Sequence, residues 1–217
     1  MKRVIIFTGG NVDIKFLMQQ DFSNDYLICA DHGLEVADRL GLTPNLLVGD
    51  FDSVDPIIFS HYEKKEGIKI IRFQPEKDNT DTDLAMRFAM EYKPEEILLF
   101  GAFGTRLDHT LANIGLLTQA MEKGIKTVLW DTYNRISMIR DICYLHKKEV
   151  FGKFISLLPF GGDAEKVTLK GFKYPLQNGT MVSGSSLGIS NELVEEEGMI
   201  QVGKGKLLVI ESRDSIK

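Results

Sequence analysis

The chain has 217 residues, a net charge of −5 and 43% hydrophobic residues, which fits one large domain or two smaller ones with a substantial apolar core. Because acidic residues outnumber basic ones and no long basic run occurs, a nucleic-acid partner is not expected. With two cysteines and four histidines, a structural zinc site is not expected either. No apolar run approaches the roughly 20 residues that span a bilayer, and the N-terminus does not resemble a signal peptide. We therefore expect no membrane partner and a cytoplasmic location.

The first half of the chain alternates short apolar runs with amphipathic segments, which is typical of strands joined by helices. Strands are predicted at 3–8, 26–30, 46–48, 68–73, 97–100 and 126–130. Helices are predicted at 33–40 and 56–65, followed by two that end near residues 92 and 123. This β-α-β-α order predicts an N-terminal α/β domain, residues 1–132, with a parallel, Rossmann-like sheet covered by helices on both faces.

Acidic side chains follow four successive predicted strands in this domain. They are Asp31, the pair Asp50 and Asp52, then Asp78 and Asp81, and finally Asp108. Because the carboxyl ends of parallel strands meet at one edge of a sheet, we expect these carboxylates to lie close together. Ionised carboxylates beside a buried strand are costly unless a cation compensates their charge. Mg²⁺ is a suitable cation because it is bound by carboxylates, water and phosphate oxygens. The sequence therefore predicts an acidic, metal-binding crevice.

Some of these acids have simpler alternatives. Asp31 and Asp108 could each cap the helix that follows it. Asp83 lies four residues before Arg87 and is expected to form a surface ion pair rather than to join the site, whereas Asp81 shares the inward side of its helix.

Two glycine-containing loops have groups suited to phosphate. Gly9-Gly10 follows the first strand but lacks a full phosphate-loop pattern, so a tight turn is favoured. The loop from residue 101 to Arg106 enters a helix, whose first N–H groups and positive dipole end favour anions. Arg106 adds a planar donor group, Lys77 a flexible cation, and the following helix has His109 and Asn113 on one face.

The second half of the chain lacks the helical pattern. Short β-like runs occur at 136–139, 154–158, 167–169, 180–182 and 207–210, with glycines between them. They predict an antiparallel β-sandwich domain, residues 133–217. The polar segment 183–192 contains Ser186, Ser190 and Asn191, which could bind a small ligand or form turns.

Five short motifs, spread over nearly the whole chain, resemble those of the thiamine pyrophosphokinase family in the same order. The first is Asp31 with Gly33, and the second is Pro44 with Gly49-Asp50-Phe51-Asp52-Ser53. The third is Lys77-Asp78-Asn79-Thr80-Asp81, and the fourth comprises Gly101, Gly104, Arg106, Asp108, His109 and Asn113. The fifth joins Tyr174-Pro175-Leu176 to Gly188-Ile189-Ser190-Asn191-Glu192. His32 and Thr105 depart from the family by standing where small residues are common.

The resemblance implies an activity and a set of site residues. It implies Mg²⁺-dependent transfer of the pyrophosphoryl group of ATP to thiamine by a homodimer, with thiamine bound between elements of the two domains across the dimer interface. The implied catalytic residues are Asp50, Asp52, Asp78, Asp81 and Arg106, of which the four aspartates are the metal ligands. The residues implied to bind ATP are Asp31, Ser53, Lys77, Thr80, Gly104, Arg106, Asp108, His109 and Asn113. Those implied to bind thiamine are Ser186, Ser190 and Asn191.

Two other functions are compatible with parts of the pattern. A magnesium phosphohydrolase could use the Asp50/Asp52 pair, one of them as the nucleophile, but would leave the other acidic strand ends and the Ser-Asn segment without a role. A non-catalytic sensor of a nucleotide or of thiamine would bind its ligand without forming product.

Overall fold

The computed structural model describes residues 2–73 and 79–215, which form two compact units that meet in sequence between Thr132 and Tyr133. In the described part of the chain, no helix has both the length and the apolar character needed to cross a membrane.

The first unit is built on a parallel sheet. Its strands are β1 (Arg3–Phe7), β2 (Tyr26–Ala30), β3 (Leu46–Gly49), β4 (Lys69–Arg72), β5 (Glu96–Phe100) and β6 (Lys126–Trp130). Its helices are α1 (Ile14–Leu17), α2 (Gly33–Arg39), α3 (Pro56–Glu63), α4 (Asp81–Glu91) and α5 (Leu107–Glu122). The strands lie in the order β4-β3-β2-β1-β5-β6, and each neighbouring pair is parallel.

The central strands are apolar along their whole length because both faces of the sheet are covered. In β1, the residues from Val4 to Phe7 have no exposed surface, and β3 is likewise fully buried. Such strands read as continuous apolar runs rather than as an alternation. This explains why the strand positions of the first unit are predictable from sequence.

The strand order indicates where on the sheet a ligand site is expected. From β1 the chain proceeds to β2, β3 and β4 on one side, then returns to β5 and β6 on the other side. The order therefore reverses between β1 and β5, and open parallel sheets bind ligands outside the carboxyl ends of the strands at such a switch point.

The second unit is a β-sandwich. Its strands are β7 (Asn134–Ile139), β8 (Ile142–His146), β9 (Phe154–Pro159), β10 (Ala164–Lys170), β11 (Leu176–Met181), β12 (Glu197–Gln201) and β13 (Leu207–Ser212). One antiparallel set has the order β7-β13-β9 and the other the order β11-β10-β12-β8. Side chains from both sets form one apolar core, with Ile155 and Val209 from the first and Val167 and Ile200 from the second.

The predicted fold class is confirmed, and three elements were missed. Strands β2 and β6 have the predicted bounds, whereas α1, β8 and β12 were not predicted. Helix α1 is only 4 residues long, too short for a helical period to show. Strand β8 has four apolar residues in a row, Ile142 to Leu145, and β12 has Gly198 at one of its buried positions, so neither sequence shows an alternation of apolar and polar residues.

Candidate active site

A cleft of about 550 Å³ opens at the switch point of the first unit. It is lined by residues that follow β1, β2, β3 and β5 and by the beginnings of α4 and α5. Part of its lining is acidic and part is rich in glycine, and we call these parts the acidic wall and the glycine-rich wall.

The acidic wall is formed by Asp31 and Asp81, whose carboxyl groups are in hydrogen-bond contact. The pKa of Asp31 is raised to about 7, chiefly by burial and also by the hydrogen bond to Asp81 and the negative charges of Asp81 and Asp50. The N–H of Phe51, which donates to Asp31 Oδ1 at 3.2 Å, partly opposes this rise. Asp31 therefore lies close enough to both Asp81 and Asp50 for their charges to disfavour its ionised form.

The backbone around Asp31 is unusually tight. Asp31 and Phe51 both adopt the left-handed backbone conformation, with φ of 43° and 62°, which residues other than glycine seldom adopt. Gly49 packs so closely on Asp31 that a Cβ at this position would collide with Asp31 Oδ1. The glycine before the aspartate pair is thus needed to admit the carboxylate of the neighbouring strand.

Two loops that follow β1 and β5 form the glycine-rich wall. The N–H of Gly10 donates to the carbonyl oxygen of Gly101 at 3.0 Å, and the N–H of Asn11 donates to that of Phe103 at 2.6 Å. A Cβ at Gly10 would collide with both carbonyl oxygens. The loop after β1 is therefore packed closely against the loop after β5, and it lines the cleft, as does Gly104.

The start of α5 adds polar groups to the same wall. Arg106 precedes the helix, lines the cleft and is exposed, with Nη2 at 2.6 Å from Asp108 Oδ2. Its guanidinium holds the pKa of Asp108 down at about 2. His109 and Asn113 also line the cleft, but the buried amide of Asn113 donates to the carbonyl oxygen of Ala102 at 2.8 Å and so fixes the loop.

Ser53 and Thr80 lie at the cleft as the sequence led us to expect. Ser53 Oγ is 3.1 Å from His32 Nδ1, while Thr80 caps α4 by accepting from the N–H of Asp83 at 3.2 Å. Asp83 forms the predicted surface ion pair with Arg87, at 3.0 Å.

Two lining residues, Thr8 and Thr82, were missed by the sequence analysis. Their hydroxyl groups form a buried hydrogen bond of 2.8 Å that joins the end of β1 to the first turn of α4. In the sequence, Thr8 directly follows an apolar strand and Thr82 stands beside Asp81. These two positions could have indicated that both hydroxyl groups lie at the site.

The remaining predicted metal ligands are not all brought together. Neither Asp50 nor Asp52 is among the residues that line the cleft; Asp52 is exposed, and its N–H donates to Asp50 Oδ1 at 3.1 Å. Lys77 and Asp78 lie outside the described residues. Over residues 2–73 and 79–215, no three Asp, Glu, His or Cys side chains are arranged to hold a metal ion by themselves.

The predicted thiamine residues lie in the second unit. Asn191 is 3% exposed, and its amide accepts from the N–H of Tyr174 at 3.0 Å and donates to the carbonyl oxygen of Tyr174 at 2.8 Å. Asn191 therefore ties together the two halves of the C-terminal motif. Ser186 and Ser190 are exposed, and Ser190 has a left-handed φ of 56°.

The fold and the cleft together define a two-unit α/β protein whose switch-point site suits a nucleotide or another phosphate-bearing ligand. Residues 19–129 match the family model "Thiamin pyrophosphokinase, catalytic domain", and residues 143–207 match "Thiamin pyrophosphokinase, vitamin B1 binding domain". The chain is 38% identical over 215 residues to thiamine pyrophosphokinase of Bacillus subtilis, a match that covers 99% of this chain and 100% of the relative.

Solved structures agree with this comparison. The crystal structure of thiamine pyrophosphokinase from Bacillus subtilis superposes with a TM-score of 0.89 at 35% identity, covering 99% of this chain and 100% of the other. That of Geobacillus thermodenitrificans thiamin pyrophosphokinase has a TM-score of 0.86 at 28% identity, with 98% of each chain covered. This chain belongs to the thiamin pyrophosphokinase family.

Proposed function

We propose that this protein transfers the pyrophosphoryl group of ATP to the hydroxyl group of thiamine, giving thiamine diphosphate and AMP. The observation that carries the proposal is the switch-point cleft, which acidic residues, glycine-rich loops and Arg106 line together in a chain of this family. Pyrophosphoryl transfer requires positioning and charge neutralisation more than covalent catalysis, and the cleft offers groups for both.

The acidic wall fits Mg²⁺. Asp31 and Asp81 share a hydrogen bond and, with Asp50, disfavour full ionisation, so a hard divalent cation would relieve their repulsion. Mg²⁺ commonly takes only one or two carboxylates, with waters and phosphate oxygens completing its shell. We propose Asp50, Asp52, Asp78 and Asp81 as ligands, with Asp31 beside them. When bound, the ion would neutralise phosphate charge and orient the pyrophosphoryl group.

Other residues of the cleft would hold the nucleotide. Arg106 and Lys77 are proposed to bind phosphate oxygens, since both are cations suited to that task. Asp108 would orient the guanidinium of Arg106 through the ion pair already formed. Further ATP contacts are assigned to Ser53, Thr80, Gly104, His109 and Asn113.

Thiamine recognition is assigned to the second unit. The hydroxyl groups of Ser186 and Ser190 are exposed and can contact a ligand, whereas Asn191 would act by shaping the adjoining backbone of Tyr174. The match of residues 143–207 to a vitamin B1 binding domain supports this assignment.

A homodimer is also proposed. The second unit exposes apolar side chains close in sequence to the proposed thiamine segment, including Tyr174 at 59% and Leu187 at 61% exposure. Such surface is commonly covered by a partner. A solution mass of twice the 24.4 kDa chain, measured by light scattering, would support the dimer. The proposed use of ATP is consistent with a cytoplasmic location.

Product identification tests the proposed reaction. The purified protein is incubated with ATP, Mg²⁺ and thiamine, and AMP, ADP and the thiamine phosphates are separated. Equal amounts of AMP and thiamine diphosphate are expected. ADP with thiamine monophosphate would show attack at the γ-phosphorus, and release of inorganic phosphate without thiamine would favour a phosphohydrolase. Binding without any product would favour a sensor.

A further inference from the structure

The loop 49–53, which carries Asp50 and Asp52, depends on a strained residue. Phe51 has a φ of 62°, although its bulky side chain disfavours the left-handed conformation. Its side chain is only 7% exposed, so packing must hold it in place.

The packing partners of Phe51 are a second ring and a guanidinium. The rings of Phe51 and Phe59 lie 4.8 Å apart between centroids. The guanidinium carbon of Arg72 lies 4.8 Å from the Phe59 ring centroid and 5.9 Å from that of Phe51, within the range of cation–π contacts. Arg72 is itself oriented by Glu63, with Nη2 at 2.8 Å from Oε1.

The backbone connects Arg72 to the same loop. Arg72 ends β4 and pairs in register with Gly49, and the N–H of Phe73 donates to the carbonyl oxygen of Gly49 at 3.1 Å. Arg72 is thus fixed by the sheet on the strand next to the loop that its side chain covers.

The conformation of Phe51 has a direct consequence at the acidic wall. Its N–H donates to Asp31 Oδ1 at 3.2 Å, and Asp50 immediately precedes it. If Phe51 relaxed to an ordinary φ, this N–H would turn away from Asp31 and Asp50 would move with the same peptide. The position of two carboxylates therefore depends on the packing of one aromatic ring.

We propose that Arg72 is a positioning residue for the carboxylates at the cleft: by covering the Phe51–Phe59 ring pair, its guanidinium holds Phe51 in the left-handed conformation that orients Asp31 and the proposed metal ligand Asp50. Arg72 touches neither nucleotide nor metal in this role. The inference rests on the proposed function for its choice of ligand, but its test requires no turnover.

Metal binding to the purified protein provides the test. Mn²⁺, a spectroscopic substitute for Mg²⁺, is titrated without thiamine, and free Mn²⁺ is followed by electron paramagnetic resonance. Arg72→Gln is expected to weaken Mn²⁺ binding about tenfold, as is typical when a group that orients metal ligands is removed. Arg72→Lys, which keeps a cation over the rings, should recover part of the loss. Arg140→Gln, a change at an exposed arginine of the second unit, should leave the affinity unchanged.

A double-mutant cycle shows whether Arg72 acts through the rings. Arg72→Gln and Phe59→Leu should each weaken Mn²⁺ binding, and their combination should cost less than the sum of the two because they disrupt the same support. Circular dichroism spectra confirm that each variant is folded.

Wild-type affinity in Arg72→Gln, additive losses in the cycle, or a wild-type protein that binds no Mn²⁺ would each overturn the inference. A wild-type protein that binds Mn²⁺ but forms no thiamine diphosphate would instead overturn the proposed function alone.

Discussion

At the scale of single residues, Asp31 is the most strongly perturbed acid of the cleft. Its pKa of about 7, against an ordinary 3.8, results from burial and from the neighbouring Asp81 and Asp50. Strongly shifted carboxyl groups of this kind are common in clefts that bind metals or carry out catalysis. Because protons and Mg²⁺ would compete for the same negative charge, the pH should control metal binding.

This competition gives a prediction about stability. The folded state raises the pKa of Asp31, so it disfavours the ionised form, and the contribution of Asp31 to the stability of the metal-free protein should be lost as the pH rises from about 4 to about 7. Mg²⁺ should restore that loss, so that the Mg²⁺-induced rise in Tm is larger at pH 8 than at pH 5.5. Differential scanning calorimetry with and without Mg²⁺ measures it.

Asp31→Asn is the matched control for that prediction, since the amide has nearly the same shape but cannot ionise. The variant should show a much weaker dependence of the Mg²⁺-induced Tm shift on pH. Equal shifts at pH 5.5 and pH 8 in the wild-type protein would contradict the role given to Asp31.

At the scale of elements, the site depends on how closely neighbouring strand ends approach. The residues that follow β2 and β3 meet where Gly49 admits the carboxylate of Asp31, and those that follow β1 and β5 meet where Gly10 packs on the carbonyl oxygens of the other loop. These contacts allow no side chain at either glycine.

Gly49→Ala should therefore be costly. The added Cβ would collide with Asp31 Oδ1, so we expect a loss of about 1–3 kcal/mol in the free energy of unfolding. Gly115→Ala is the control, because Gly115 lies within α5 with nothing within 4 Å of a Cβ, and alanine favours helix by about 1 kcal/mol. Urea denaturation compares them, and equal stability of the two variants would contradict the close approach.

Much of the first unit could be predicted because its strands are buried on both faces. The same logic predicted acidic side chains at one edge of the sheet, and Asp31, Asp50 and Asp81 do lie close together there. The hydrogen bond between Asp31 and Asp81 could not be predicted, since it depends on how α4 sits over the strand ends.

The second unit was harder to predict. The side chain of Asn191 is hydrogen-bonded to the backbone of Tyr174, which is 17 residues away in sequence, and no local pattern indicates such a contact. Strand β8 was missed because its apolar residues, 142–145, follow one another without alternation, although the strand exposes Ile142 and Tyr144.

At the scale of the whole molecule, the two units are proposed to contribute different parts of the reaction. All described residues that line the cleft belong to the first unit, and the matched catalytic-domain region, residues 19–129, falls within it. The matched vitamin B1 binding region, residues 143–207, lies in the second unit. The proposed reaction needs both, because the first would hold ATP and the second would recognise thiamine.

The central claim is that the cleft of the first unit is where pyrophosphoryl transfer occurs. Asp81 and Asp83 offer a matched test, since both lie in the first turn of α4, but only Asp81 faces the cleft and contacts Asp31. Asp83 is instead paired with Arg87.

The measurement is the rate at which thiamine diphosphate and AMP form from ATP and thiamine in the Asp81→Asn and Asp83→Asn variants. We predict a loss of about a hundredfold for Asp81→Asn and a rate within about twofold of wild type for Asp83→Asn, because Asp83 does not line the cleft. A near-normal rate in Asp81→Asn, or equal losses in both variants, would contradict the assignment of this cleft as the active site.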